Sequence, residues 1–118
     1  MPPLQYVILR HEAIAEPHFD LMFETRPGSD LATFRGPLWP IDSTTALTRL
    51  KDHRRVYLEF EGELSQRRGR VVRIARGECN IEIGENAVWT IHLLNGCPAR
   101  QIVVKQIEAE KWEGRPSA

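Results

Sequence analysis

Short runs of alternating apolar and polar residues fill most of this chain, and they constrain its fold more than any other feature. A period of two places one face of a strand in a core and turns the other face away from it. The runs are rich in β-branched and aromatic residues, are separated by Gly, Pro, Asn and Asp, and read QYVILRH, HFDLMFE, RRVYLEFEGEL, GRVVRIAR, CNIEI, AVWTIHLL and RQIVVKQI. The pattern predicts a mostly β protein, a single compact antiparallel β-barrel.

One segment departs from this alternation. In DSTTALTRLKDH, Asp42 or Ser43 can cap the start of a helix, and Leu47 and Leu50 recur on one side together with an alanine. We therefore expect one short helix, over about residues 43–52, flanking the barrel.

Length and charge restrict the class of protein. The 118 residues can bury one hydrophobic core but not two, so residues 1–118 are expected to form one domain. No apolar run approaches the length of a membrane span, and the N-terminal segment lacks the pattern of a secretory leader, so we expect no membrane contact and a cytoplasmic location. Sixteen basic residues balance sixteen acidic ones, although arginines cluster in DHRRVY and SQRRGRVVRIARG. That cluster can be a basic binding face or a solvated surface.

The stretch HEAIAEPHFDLMFE combines two of the four histidines with an aspartate. Alternation along HFDLMFE puts His18 and Asp20 on one face, roughly 7 Å apart. His11 ends the preceding strand, and the short connection would return the chain antiparallel and place His11 near His18. Two imidazoles and one carboxylate can bind a divalent metal and leave positions open for water and substrate. From the spacing alone, a metal site and two surface histidines beside a hairpin are both open interpretations.

An ordered series of motifs resembles the 3′-phosphoesterase domain of bacterial DNA ligase D, which also occurs as a small stand-alone protein. HFDLMFE resembles the family's H-[YF]-D-[FL]-R-[LF]-E, FRGP resembles its P-K-G-P, and the pair Asp52 and His53 resembles its D-H. FEGEL and GRVVRIARG resemble F-E-G-x-[IL] and G-x-V-x-[IV]-x-x-R-G. The likeness covers roughly two thirds of the chain, from YVILRHE to about IARGE.

The resemblance implies a metal-dependent β-barrel enzyme that acts in DNA repair, removing a terminal ribonucleotide and then the 3′-phosphate from a DNA 3′ end. It implies that His11, His18 and Asp20 bind the metal, which would be manganese, with zinc or cobalt as alternatives. It also implies that His53 lies beside the scissile phosphate and that Arg35 engages a phosphate as a cation. The implied partners are 3′ ends of DNA or of DNA/RNA primers, and a DNA ligase or another end-joining protein.

Two positions depart from the family pattern. Met22 stands where active members have an arginine that clamps the phosphate, and Thr45 stands where a second arginine is usual. Methionine has no charge and no donor, so a contact worth about 1.5 to 3 kcal/mol is lost. The alternative function is therefore a catalytically weakened module that binds metal and phosphate, at nucleic-acid ends or on a repair partner. The enzyme is favoured if Arg49, Arg54 or Arg73 reaches the place that Met22 vacates.

Overall fold

The computed structural model describes residues 3–64, 66, 68–98 and 100–117, and most of the regular structure in them is strand. The strands are β1 (Leu4–Glu12), β2 (His18–Glu24), β3 (Leu31–Gly36), β4 (Thr45–His53), β5 (Gly62–Glu63), β6 (Arg70–Ile83), β7 (Val88–Leu93), β8 (Arg100–Glu108) and β9 (Lys111–Pro116). Two short 3₁₀ helices cover Arg55–Leu58 and Glu85–Ala87. None of the helices in the described part of the chain is long and apolar enough to cross a membrane.

Eight of the strands close into an antiparallel barrel. Their order is β1-β2-β3-β4-β9-β8-β7-β6, and β6 also pairs with β1, which closes the ring. The 14-residue strand β6 pairs with β1 along its first part and with β7 along its last part. The two-residue strand β5 adds to β6 outside the ring. The predicted mostly β, antiparallel barrel is therefore confirmed.

The predicted helix over residues 43–52 is wrong, because this segment forms strand β4. Thr45 and Leu47 are buried while Ala46 and Thr48 are exposed, which is the period of a strand. β4 fills the place between β3 and β9, and Leu47 pairs with Trp112 there. The same apolar spacing fits a helix locally. In the barrel, however, only a strand can form backbone hydrogen bonds with the facing edges of β3 and β9. Tertiary pairing therefore overrides the weak helical preference.

Inward-facing side chains fill the barrel with one apolar core. The rings of Phe34, Trp89 and Trp112 pack edge to face, with centroids 5.1, 5.5 and 5.7 Å apart. The other buried members are Tyr6, Ile8, Leu21, Phe23, Ala32, Ile41, Leu47, Ala75, Cys79, Ile91, Leu93, Ile102 and Val104. Because this interior is packed with side chains, residues available for chemistry lie on the outer face or at the barrel ends.

A second, smaller core covers part of the outer face. We call residues 54–64 the cover segment, because Leu58 from this segment packs on outward-facing residues of the barrel wall, with Tyr57, Phe60 and Leu64 partly buried against them. The wall residues of this outer core are Val7, Leu9, Met22, Leu31 and Val71. The outward face of β2 is consequently shielded from water, and Met22 is only 1% exposed.

We predict that Met22→Arg destabilises the protein and does not restore a phosphate clamp. An arginine at this position would place a charge among apolar side chains, which costs about 3 to 5 kcal/mol when the charge has no partner. Chemical denaturation followed by tryptophan fluorescence measures the loss. Met22→Leu, which conserves volume, should cost less than about 1.5 kcal/mol. Equal stability of Met22→Arg and wild type would contradict the outer core.

Candidate metal centre

The two histidines of the hairpin lie side by side at one end of the barrel wall. His11, near the end of β1, pairs across the strands with His18, the first residue of β2. The Nδ1 atom of His11 is 3.2 Å from Nε2 of His18. This is the juxtaposition that the short connection between the two strands predicted.

Asp20 completes a group of three metal-ligating side chains. It lies two residues along β2 from His18 on the same face, and its Oδ2 atom is 3.8 Å from Nε2 of His18. One ligand atom from each of His11, His18 and Asp20 lies within 4.8 Å of the other two. The structure therefore brings together all three residues that the sequence singled out as metal ligands.

Backbone carbonyls select the tautomer of each imidazole. Nδ1 of His18 lies 3.1 Å from the carbonyl of Glu16, and Nε2 of His11 lies 2.5 Å from the carbonyl of Arg68. A carbonyl only accepts, so both of these outer nitrogens donate. In the neutral rings the inner nitrogens then face each other with lone pairs and no hydrogen between them. Only a cation between them, a proton or a metal ion, removes this repulsion.

The geometry of the three ligand atoms suits a first-row divalent metal. At metal–nitrogen distances of 2.0 to 2.1 Å, two imidazole nitrogens of a tetrahedral site are about 3.3 Å apart. The observed separation of 3.2 Å between His11 and His18 is close to this value. Two nitrogen ligands and one carboxylate also leave coordination positions for water or substrate. Burial lowers the pKa of His18, which favours the neutral form that a metal requires.

Arg35 holds the carboxylate of the ligand group. It lies opposite Asp20 on β3, and its Nε and Nη2 atoms donate to the two carboxylate oxygens at 2.9 and 3.3 Å. The side chain of Asp20 is 7% exposed and that of Arg35 is 38% exposed. This paired geometry fixes the orientation of Asp20 toward His18. The Nη1 edge of Arg35 makes no hydrogen bond within the described part of the chain.

His53 lies away from the ligand group. On β4 it pairs with Leu31, which is four residues back along β3 from Arg35. Four residues of strand correspond to about 13 Å. Nδ1 of His53 donates to the carbonyl of Lys51 at 2.9 Å, and the ring of His53 packs against Tyr57. The structure does not bring His53 within reach of a phosphate bound at His11 and His18.

The arginines considered as replacements for the missing clamp also lie elsewhere. The guanidinium carbon of Arg49 is 4.8 Å from the ring centroid of Trp89, at the inner core. Arg54 and Arg73 line separate clefts on the outer surface. Met22 is surrounded by the apolar residues of the outer core. None of these three arginines occupies the position that Met22 vacates.

Glu24 is a buried structural carboxylate that the sequence did not single out as such. Its oxygens accept hydrogen bonds from the backbone nitrogens of Gln5, at 2.6 Å, and Gly28, at 2.9 Å, and from the guanidinium of Arg55. Burial raises the pKa of Glu24, but these donors outweigh the burial and hold the pKa below its ordinary value. The signal in the sequence is a glutamate placed directly before the turn TRPGSD, whose backbone amides need an acceptor.

We predict that Glu24→Gln is less stable than wild type by about 1.5 to 3 kcal/mol at neutral pH, because charge-assisted hydrogen bonds are lost. Since the folded state lowers the pKa of Glu24, its contribution is complete above the ordinary value of 4.5 and is lost as the pH falls below it. Urea unfolding across this range should show the two proteins converging in acid. The exposed, charge-matched Glu85→Gln should follow wild type at every pH. A constant difference between Glu24→Gln and wild type would contradict the assignment.

Gly69 lies in the hairpin between β5 and β6, which also carries Arg68. It controls how closely this hairpin approaches the candidate metal ligands. Its φ is +86°, and an added Cβ would lie 2.5 Å from the carbonyl oxygen of Glu12 and 3.1 Å from Nε2 of His11. We predict that Gly69→Ala displaces this hairpin and weakens manganese binding. Calorimetric titration measures the effect.

Gly28→Ala is the matched control for that experiment. Gly28 has a similar φ of +82°, but its added Cβ would meet nothing within 4 Å. Both variants carry the cost of a positive φ, roughly 1 kcal/mol, and only Gly69→Ala carries the clash. Equal manganese affinity in the two variants would show that the hairpin does not fix His11.

Comparison of the sequence with models of known protein families gave no match, and comparison with curated proteins gave none either.

Proposed function

We propose that this protein is a divalent-metal-dependent phosphoesterase that acts on the 3′ ends of nucleic acids, with manganese as the metal and zinc or cobalt as alternatives. One observation carries the proposal. The lone pairs of His11 and His18 face each other at 3.2 Å beside the carboxylate of Asp20, and both outer nitrogens are committed to backbone carbonyls. Such a group requires a cation, and its donor set suits a divalent metal.

The four residues of the site would have different roles. His11, His18 and Asp20 would hold the metal, which when bound supplies a Lewis acid for a phosphoryl oxygen and lowers the pKa of its water. Arg35 would keep Asp20 oriented through Nε and Nη2 and offer its Nη1 edge to a phosphate oxygen. These roles agree with those that the resemblance implies for the four residues.

Cations at the end of the barrel that carries the ligand group favour a polyanionic substrate. Glu12 forms ion pairs with Arg10 and Arg70, whose side chains are 43% and 51% exposed, at the end of the barrel that carries His11 but on the opposite face of β1 and β6. Partly exposed guanidinium groups of this kind bind phosphates of a nucleic-acid backbone. The 3′ end of DNA or of a DNA/RNA primer is therefore the proposed substrate, in the cytoplasm. A DNA ligase or another end-joining protein is the partner that the motif resemblance suggests.

The second candidate is a binding module with little or no turnover. Two observations favour it: Met22, at the position of the usual clamp, lies under the outer core, and His53 is far from the ligand group. A phosphate at the metal would then be held by Arg35 without the clamping arginine and the acid that the motif resemblance associates with hydrolysis. The two candidates share the metal site and differ only in turnover.

The test is manganese-dependent release of phosphate from a DNA primer that ends in a 3′-phosphate. We expect release by wild type and none by Asp20→Asn, which keeps the size of the side chain but removes the anionic ligand. His92→Ala is the control, because His92 is a partly exposed histidine on β7, outside the ligand group. It should release phosphate at the wild-type rate.

Calorimetry with manganese on the same proteins separates the two candidates. Binding by wild type and His92→Ala but not Asp20→Asn, without any phosphate release, would establish the binding module in place of the enzyme. Absence of both manganese binding and release in wild type would reject both candidates.

A further inference from the structure

A cleft of about 280 Å³ lies on the outer surface between the cover segment and the start of the hairpin that leads to β6. Its size is near the lower end of small-molecule sites, so it can hold a single ring system. The lining residues are Arg54, Val56, Tyr57, Phe60, Glu63, Leu64 and Arg68. The assigned metal ligands do not use this cleft.

Aromatic side chains form one wall of the cleft. Tyr57 and Phe60 pack edge to face, with ring centroids 6.1 Å apart, and Tyr57 packs in the same way on His53 at 5.5 Å. Packing against the outer core anchors both rings, which remain only partly buried. A base stacks on such rings whatever its identity, because every base has a flat π-face.

The charges around the cleft suit a nucleotide. The exposed side chains of Arg54 and Arg68 line it, together with one carboxylate, that of Glu63. An apolar and aromatic wall flanked by two guanidinium groups provides stacking for a base and attraction for its phosphates.

One residue joins the cleft to the metal centre. The side chain of Arg68 lines the cleft, and its backbone carbonyl accepts the hydrogen bond from Nε2 of His11 at 2.5 Å. A bond from the nitrogen of Leu64 to the carbonyl of Gly69, at 2.9 Å, closes this hairpin beside the ligand group. The length of one arginine residue, Arg68, therefore separates the cleft from the ligand group.

We infer that the cleft binds the base of the 3′-terminal nucleotide whose phosphate occupies the metal centre. This inference rests on the proposed function for the identity of its ligand. The base stacks on the face of Phe60 and contacts Tyr57, whose ring lies at 77° to that of Phe60, and Arg54 and Arg68 attract the adjoining backbone. Recognition of the terminal base by stacking makes the site selective for ends that carry an unpaired or frayed base, because a base stacked within a duplex cannot enter the cleft.

The experiment compares two short 5′-fluorescein-labelled single-stranded DNAs that both end in a 3′-phosphate. One has a normal terminal nucleotide and the other has an abasic terminal residue. Fluorescence anisotropy is measured without manganese, so that no hydrolysis takes place. We expect wild type to bind the normal end about tenfold more tightly, the effect of one stacked base.

Two variants test whether the cleft is responsible. Phe60→Leu keeps an apolar contact with the outer core but removes the ring, and should bring the two affinities within about twofold of each other. Ile83→Leu is the control, because Ile83 is 57% exposed at the far end of β6 and should keep the tenfold preference. Equal binding of the two DNAs by wild type, which needs no variant, would overturn the inference. A full preference retained by Phe60→Leu would also overturn it.

The outcome is separable from that of the proposed function. If wild type prefers the normal end but shows no manganese-dependent phosphate release, the base-binding role of the cleft is supported and the enzyme is rejected. Phosphate release without this preference supports the enzyme and rejects the cleft.

Discussion

Pairing along both edges of β1 is the constraint on which the rest of the structure depends. β1 runs antiparallel to β2 on one side and to β6 on the other, and the second pairing closes the barrel. Both faces of β1 are buried as well, with Ile8 in the inner core and Leu9 in the outer core. A strand enclosed in this way can present polar groups only at its end. His11 and Glu12 lie at that end, and this is where the three candidate metal ligands gather.

The outer core determines how much of the barrel surface is open to a ligand. Apolar side chains that face outward from a barrel need a cover, and Leu58 of the cover segment provides it. The cover removes the middle of the β2 face from solvent, including Met22, and leaves the candidate metal ligands at its edge. The parts of this face that remain open to a ligand are the cover segment, the hairpin that follows it and the strand ends that carry the three candidate ligands and Arg35.

Two carboxylates on the outward face of β2, those of Asp20 and Glu24, have different roles because their hydrogen-bond partners differ. Glu24 accepts hydrogen bonds from two backbone nitrogens and Arg55, so groups of the fold itself occupy its carboxylate oxygens. Asp20 is paired with Arg35 alone and keeps an oxygen 3.8 Å from the nitrogen of His18. Burial penalises both charges, and an arginine offsets this penalty in each case. Of the two, only Asp20 directs an oxygen at a histidine of the candidate metal centre.

The sequence by itself determined the features that depend on residues close in the chain. Alternation fixed which side chains of HFDLMFE share a face, and the short connection after His11 fixed its position beside His18, because a hairpin joins neighbouring strands directly. Only the tertiary structure decided that residues 45–53 form a strand, that Arg35 binds Asp20 and that His53 lies apart from the candidate metal ligands. Each of these outcomes is set by a partner strand distant in sequence. Hydrogen bonds between strands and burial on both faces then outweigh the local preference of the segment, which is all that a short stretch of sequence expresses.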